Sequence, residues 1–88
     1  MNTKDLIREK LSTLRPSLIE IIDESAQHAG HAGAKSGGGH YSLSIVSAAF
    51  SQQNTLARHR LVYATLGSLM QNKIHALSIK AQCPEEIL

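Results

Sequence analysis

Cysteine is nearly absent from this 88-residue chain, since Cys83 is the only one. An intramolecular disulfide framework is therefore excluded, and so is a metal site built from the cysteines of a single chain. Tryptophan is absent, and two tyrosines and one phenylalanine are too few for a platform on which nucleic-acid bases stack. Long apolar runs are also missing, because none approaches the roughly 18 residues that span a bilayer.

The N-terminal segment, MNTKDLIREK, mixes charges of both signs from its start. This pattern is not typical of a signal peptide or of an arginine-rich transit peptide. Together with the lack of a membrane-spanning run, it favours a cytoplasmic protein with no membrane partner.

Acidic residues are missing from a long central stretch. Between Ser25 and Ala81 there is no Asp or Glu, so the mild net charge of +2 conceals a region of positive potential. Such a region favours anionic partners, among them nucleic acid, glutathione and an iron–sulfur cluster. The same lack removes the usual general acids and bases, and no nucleophile or phosphate-loop motif is present. We therefore predict that the protein is not an enzyme.

The apolar pattern predicts a single domain over residues 1–88 in the order α-β-β-α-β. The predicted elements are a helix over 3–14, strands over 18–23 and 40–47, a long helix over 55–71, and a strand over 74–81. This order favours an α+β fold in which helices cover one face of a three-stranded sheet. A right-handed parallel crossover should join the second and third strands, and the third strand could lie beside either earlier strand. The buried side of the long helix is predicted to consist of Leu56, Val62, Tyr63, Leu66, Leu69 and Met70.

A glycine-rich segment, residues 26–39, separates the first two strands. Its sequence AQHAGHAGAKSGGG holds five of the six glycines and two of the five histidines. A segment without large apolar side chains contributes nothing to a core, so we predict a flexible loop with a functional role.

The five histidines must carry any metal chemistry that the chain supplies. From the residues alone, His75 shares a strand face with Leu77 and Ile79, which favours a hydrogen-bonded histidine at the edge of the core. By the same reasoning His40 and His59 are structural. We also expect Cys83 to be an incidental thiol, close to last residues that either form a helical turn or fray.

Several segments resemble one known family. Residues 58–63, RHRLVY, and 74–79, IHALSI, are similar to the signature of BolA proteins. Residues 23–25, DES, 40–41, HY, and 45–47, IVS, fit the same family pattern in order and spacing. The resemblance covers residues 3–86 and implies a BolA-like fold, related to the class II KH domain, which agrees with the predicted element order.

The resemblance also implies a function. BolA proteins pair with monothiol glutaredoxins, and the two share a [2Fe-2S] cluster to which glutathione contributes a thiolate. In this chain the metal ligands would be His75 and a histidine of the loop, either His28, by its spacing from Glu24-Ser25, or the nearby His31. A role in iron–sulfur cluster trafficking or in iron and redox regulation follows, with no cluster expected in the isolated protein.

Nucleic-acid binding is the alternative, since BolA proteins have also been regarded as transcriptional regulators. The residues that would contact the phosphates of DNA are Arg58, Arg60, Lys73 and Lys80. The Gly-x-x-Gly loop by which KH domains hold a nucleic-acid backbone is absent, because residues 51–54 read SQQN.

Overall fold

Helices and strands follow one another in the α-β-β-α-β order that the sequence predicts. The computed structural model describes residues 2–25 and 39–87. Its elements are α1 (Thr3–Leu11), β1 (Leu18–Asp23), β2 (Gly39–Val46), α2 (Thr55–Leu66), α3 (Leu69–Asn72) and β3 (Ile74–Gln82). Short 3₁₀ turns occupy Ser12–Leu14, Ala48–Phe50 and Pro84–Ile87. The α+β fold class is confirmed, with the long helix divided in two.

Strand β2 lies at the centre of the sheet. It pairs antiparallel with β1 and parallel with β3, so the strand order is β1-β2-β3. The sequence left the neighbour of the third strand open, and the structure places it beside β2. Alternate residues of β2, Tyr41, Leu43 and Ile45, are buried. They mark the face of the sheet that the helices cover.

Buried aliphatic side chains pack α1 and α2 against the core, and an asparagine caps the N-terminus of each helix. Ile7 and Leu11 of α1 are fully buried, as are Val62 and Leu66 of α2. The Asp5 backbone N–H donates to Asn2 Oδ1 at 2.9 Å, and the Ala57 N–H donates to Asn54 Oδ1 at 2.8 Å. Both side chains satisfy a donor that has no partner within its helix.

The predicted buried side of α2 is wrong at two positions. Leu56 is 58% exposed and Tyr63 is 41% exposed. The stripe that faces the core runs through Val62 and Leu66, and Arg58 continues it toward the N-terminus at the i−4 position. The Arg58 side chain is only 11% exposed.

Gly67 divides the helix that the sequence predicts over residues 55–71. Its φ of 58° and ψ of −129° fall in a region that L-residues avoid, so the α2 ladder ends there. The chain then turns into the short α3, which buries Leu69. This break delivers the chain to Ile74, the buried first residue of β3.

Candidate functional site

Two histidines meet at one end of the sheet. His40 lies near the start of β2 and His75 near the start of β3, and parallel strands begin at the same end of a sheet. The centroids of the two imidazole rings are 5.0 Å apart, and the ring planes are inclined by 46°. His75 is exposed and His40 is half-buried. The family resemblance points to His75 as a ligand and the residues alone predict a structural His40, whereas the parallel pairing of β2 with β3 brings the two together.

A β-bulge gives His75 its position. Gly39 pairs with Ile74, and His40 pairs with Ala76, so β3 holds one extra residue at this point, His75. A bulge of this kind redirects a side chain that regular alternation would place elsewhere. Ile74 is buried and His75 is exposed. His75 is thus more exposed than Leu77 and Ile79, which pack against the core.

The turn that follows β1 holds the start of β2. The His40 N–H donates to Ser25 Oγ at 3.1 Å, and the Glu24 N–H donates to the His40 carbonyl at 2.8 Å. Asp23 in turn accepts the Ser25 N–H at 2.9 Å. Hydrogen bonds from Ser25, first from its side chain and then from its backbone, lower the pKa of the Asp23 carboxyl. The Asp-Glu-Ser motif thus supports the backbone of His40.

Two adjoining grooves reach the histidine pair. The larger, of about 560 Å³, is lined by Tyr63, Gly67, Met70, Gln71, His75, Ala76 and Leu77. The smaller, of about 260 Å³, is lined by Glu24, His40, Tyr41, Ala76, Leu77 and Ser78. Each groove contains one histidine, and Ala76 and Leu77 line both. A partner molecule that fills the larger groove would therefore contact His75, and one that fills the smaller groove would contact His40.

The other two predicted ligands, His28 and His31, lie outside the described residues. The residues that flank this segment do lie at the site, since Ser25 bonds to His40 and Gly39 pairs with Ile74. Within residues 2–25 and 39–87, no group of three or more His, Cys, Asp or Glu side chains could hold a metal ion.

Arg58, one of the predicted phosphate contacts, is engaged with the C-terminal turn. Its Nη1 donates to Glu86 Oε1 at 2.6 Å and to the Ala81 carbonyl at 3.0 Å, and its Nη2 donates to Glu86 Oε2 at 3.2 Å. Its Nε donates to the Gln53 carbonyl at 2.8 Å. The guanidinium is thus directed into the protein, where it joins α2 to the end of the chain.

The same contact fixes Cys83. The Cys83 N–H donates to Glu86 Oε1 at 2.9 Å, and the residue is only 5% exposed. Hydrogen bonds from Arg58 and then from the Cys83 backbone lower the pKa of Glu86 to about 2. Of the two expectations for the last residues, a helical turn or a fraying end, the structure has the turn, at Pro84–Ile87. The remaining predicted phosphate contacts, Arg60, Lys73 and Lys80, are exposed.

Comparisons with known proteins agree on one family. The family model described as BolA-like protein matches residues 11–86. Protein BOLA1, chloroplastic, of Arabidopsis thaliana is 43% identical over 97% of this chain and 56% of its own length. SufE-like protein 1, chloroplastic/mitochondrial, of the same plant is 44% identical over 92% of this chain and 24% of its own length. This chain therefore spans about half the length of BOLA1 and about a quarter of the length of SufE-like protein 1.

A bacterial relative and a solved structure extend the agreement. The DNA-binding transcriptional regulator BolA of Escherichia coli is 35% identical over 90% of this chain and 73% of its own length. The solved BolA domain of SufE1 from Arabidopsis thaliana superposes with a TM-score of 0.85 at 42% identity, covering 99% of both chains. An α+β domain with this strand order, matched by the family model over residues 11–86, defines the class. The chain belongs to the BolA family.

None of the helices within residues 2–25 and 39–87 has the length and apolar character needed to cross a membrane. The names of the two plant relatives mention the chloroplast and the mitochondrion, so they do not support a cytoplasmic location, which stays a prediction.

Proposed function

We propose that this chain forms a heterocomplex with a monothiol glutaredoxin and shares a [2Fe-2S] cluster with it. His75 is one ligand in this proposal, and His28 or His31 is the other. The observation that carries it is the exposed His75, which lines the larger groove with its ring 5.0 Å from that of His40. Membership of the BolA family supports the choice of partner, because the resemblance to BolA proteins implies pairing with a monothiol glutaredoxin.

The chemistry of the donors fits such a cluster. Imidazole nitrogen is a suitable ligand for iron, and two imidazoles on one iron are known from Rieske centres. His75 is exposed, so its imidazole needs no rearrangement of the core to reach a cluster that a partner carries. In the shared complex, the glutaredoxin cysteine and a glutathione thiolate complete the ligand set.

The electrostatics favour an anionic assembly of this kind. Lys73, two residues before His75, is exposed. No acidic residue lines the larger groove, which contains His75, whereas Glu24 lines the smaller groove, which contains His40. Thiolates and the sulfides of the cluster carry negative charge, which a positive potential attracts. When bound, the cluster supplies one-electron redox chemistry and a transferable iron–sulfur unit, and neutral imidazole ligands raise its potential.

Reconstitution with the partner tests the proposal. The protein is mixed with a monothiol glutaredoxin, ferrous iron, sulfide and glutathione, and visible circular dichroism and native mass are recorded. We expect a heterodimer that holds one [2Fe-2S] cluster and glutathione, with a spectrum that changes strongly in His75→Ala. His59→Ala is the matched control, because His59 lies on α2 and is not among the residues that line the two grooves. Failure to form the heterodimer, or an unchanged spectrum in His75→Ala, would contradict the proposal.

Binding to DNA is the second candidate, and it is favoured by the exposed side chains of Arg60, Lys73 and Lys80. Three phosphate contacts give a log–log salt slope of about −2.7, so affinity should fall ~40-fold between 50 and 200 mM salt. Fluorescence anisotropy with a duplex measures this dependence. Replacing the three residues by alanine should flatten it, and a salt-independent affinity would exclude the electrostatic mode.

A further inference from the structure

The bulge that exposes His75 also removes the constraint that strand pairing places on a side chain. The neighbours of His75 pair with Gly39 and His40, so His75 has no residue directly opposite it on β2. An exposed side chain at such a position is free to exchange among its rotamers unless a neighbour restricts it. A ligand that moves in this way would meet a cluster in the productive orientation for only part of the time.

The imidazole of His40 is such a neighbour. A ring-centroid distance of 5.0 Å lies within the 4.5–7 Å range over which aromatic rings attract one another, and the 46° inclination is intermediate between stacked and edge-on. Any rotation of His75 toward the His40 side is therefore limited by a ring that already occupies the space.

The backbone of His40 is itself held by two hydrogen bonds. Ser25 Oγ accepts its N–H, and its carbonyl accepts the Glu24 N–H. The preceding residue, Gly39, lies against the Tyr41 ring, which an added Cβ atom would overlap. Because Tyr41 is buried on the helix-covered face, alternation along β2 directs the His40 side chain to the opposite face.

We propose that His40 is the positioning residue for His75. The His40 ring sterically restricts the His75 imidazole to one orientation before any partner binds. The consequence for cluster binding rests on the proposed function, whereas the orientation of His75 is a property of the free protein. Without the His40 ring, the His75 side chain would distribute over about three χ1 rotamers. The occupancy of the rotamer that can bind the cluster would then fall about threefold. We expect a similar weakening of the shared complex, about threefold, with the ligand set unchanged.

The χ1 rotamer populations of His75 in the isolated full chain test the positioning role directly. They are obtained by NMR from three-bond couplings to the His75 side chain. We expect one dominant χ1 rotamer in the wild type and in His40→Phe, which keeps a ring in place, and averaged couplings in His40→Ala. Ser42→Ala, the next residue of β2 on the same face as His40, is the control and should leave the couplings unchanged. Should His40→Ala fail to fold, Ser25→Ala loosens the His40 backbone while keeping its ring, and partial averaging is expected.

The outcomes separate the possibilities. Unchanged couplings in the folded His40→Ala, or in Ser25→Ala where that variant is needed, would overturn the proposal. Averaging in His40→Phe would also overturn it, because the ring nitrogens rather than the ring would then be responsible. A glutaredoxin titration of the same variants adds the functional readout. If the couplings behave as expected but the wild type forms no cluster complex, the positioning role stands and the proposed function fails.

Discussion

Gly39→Ala should destabilise the protein through one specific contact, the overlap of the new methyl group with the Tyr41 ring. The three nearest atoms to a Cβ at this position all belong to Tyr41, namely Cε2, Oη and Cζ. Tyr41 is 7% exposed, so its ring has little room to move away. Overpacking of a buried site costs about 1–3 kcal/mol. With a urea m-value of about 1–1.5 kcal/mol/M, a loss of 2 kcal/mol lowers the unfolding midpoint by about 1.3–2 M.

A double-mutant cycle identifies the contact responsible. In a Tyr41→Leu background the ring is gone, so Gly39→Ala should cost close to nothing and the coupling free energy should reach about 1–3 kcal/mol. Phe50→Leu, a fully buried aromatic that is not among the atoms nearest Gly39, provides the control cycle and should be additive. Urea unfolding of the four variants of each cycle measures both couplings. An additive Gly39–Tyr41 cycle would refute the steric explanation.

Three further predictions follow from the fold and the site. Gly67→Ala should cost about 1–3 kcal/mol in thermal unfolding, because the backbone conformation is strained for alanine although the nearest atom to its Cβ is 4.0 Å away; an unchanged Tm would contradict this. The pKa of Glu86 is lowered from 4.5 to about 2, so its contribution to stability is complete above pH 4.5 and disappears as the pH falls toward 2. The stability difference between wild type and Glu86→Gln should therefore be present at pH 7 and vanish near pH 2, and a constant difference would disprove the assignment. In the glutaredoxin complex, His28→Ala alone should leave a partly histidine-coordinated cluster, and His28→Ala with His31→Ala should resemble loss of a ligand in visible circular dichroism. Equal damage by the single and double changes would assign no role to His31.

Local chemistry made the element boundaries predictable. Asparagine caps fix the starts of α1 and α2, and β1 has the predicted bounds. The division at Gly67 was missed because a glycine inside an apolar helical pattern can be tolerated or can end the helix, and the periodicity on either side is the same. Whether the helix continues through Gly67 or ends there depends on how Leu69 packs against the core, which is a tertiary property.

The site was only half predictable for a related reason. The motif selects His75, but the exposure of His75 depends on a bulge, and a bulge depends on the register between two strands far apart in the sequence. The contact with His40 follows from the same pairing. For Arg58 the sequence was misleading, since its charge suggested a phosphate contact. Its position four residues before Val62 instead places it beside the core, where it pairs with Glu86.

Pulsed electron paramagnetic resonance of the reduced heterocomplex tests the central claim most directly. The chain is labelled with ¹⁵N-histidine and the glutaredoxin is left unlabelled, so any ¹⁵N coupling to the cluster comes from histidines of this chain. We predict strong couplings from two histidine nitrogens in the wild type and in His59→Ala, and the loss of one of them in His75→Ala. A spectrum without ¹⁵N coupling, or one that His75→Ala leaves unchanged, would contradict the assignment of His75 as a ligand.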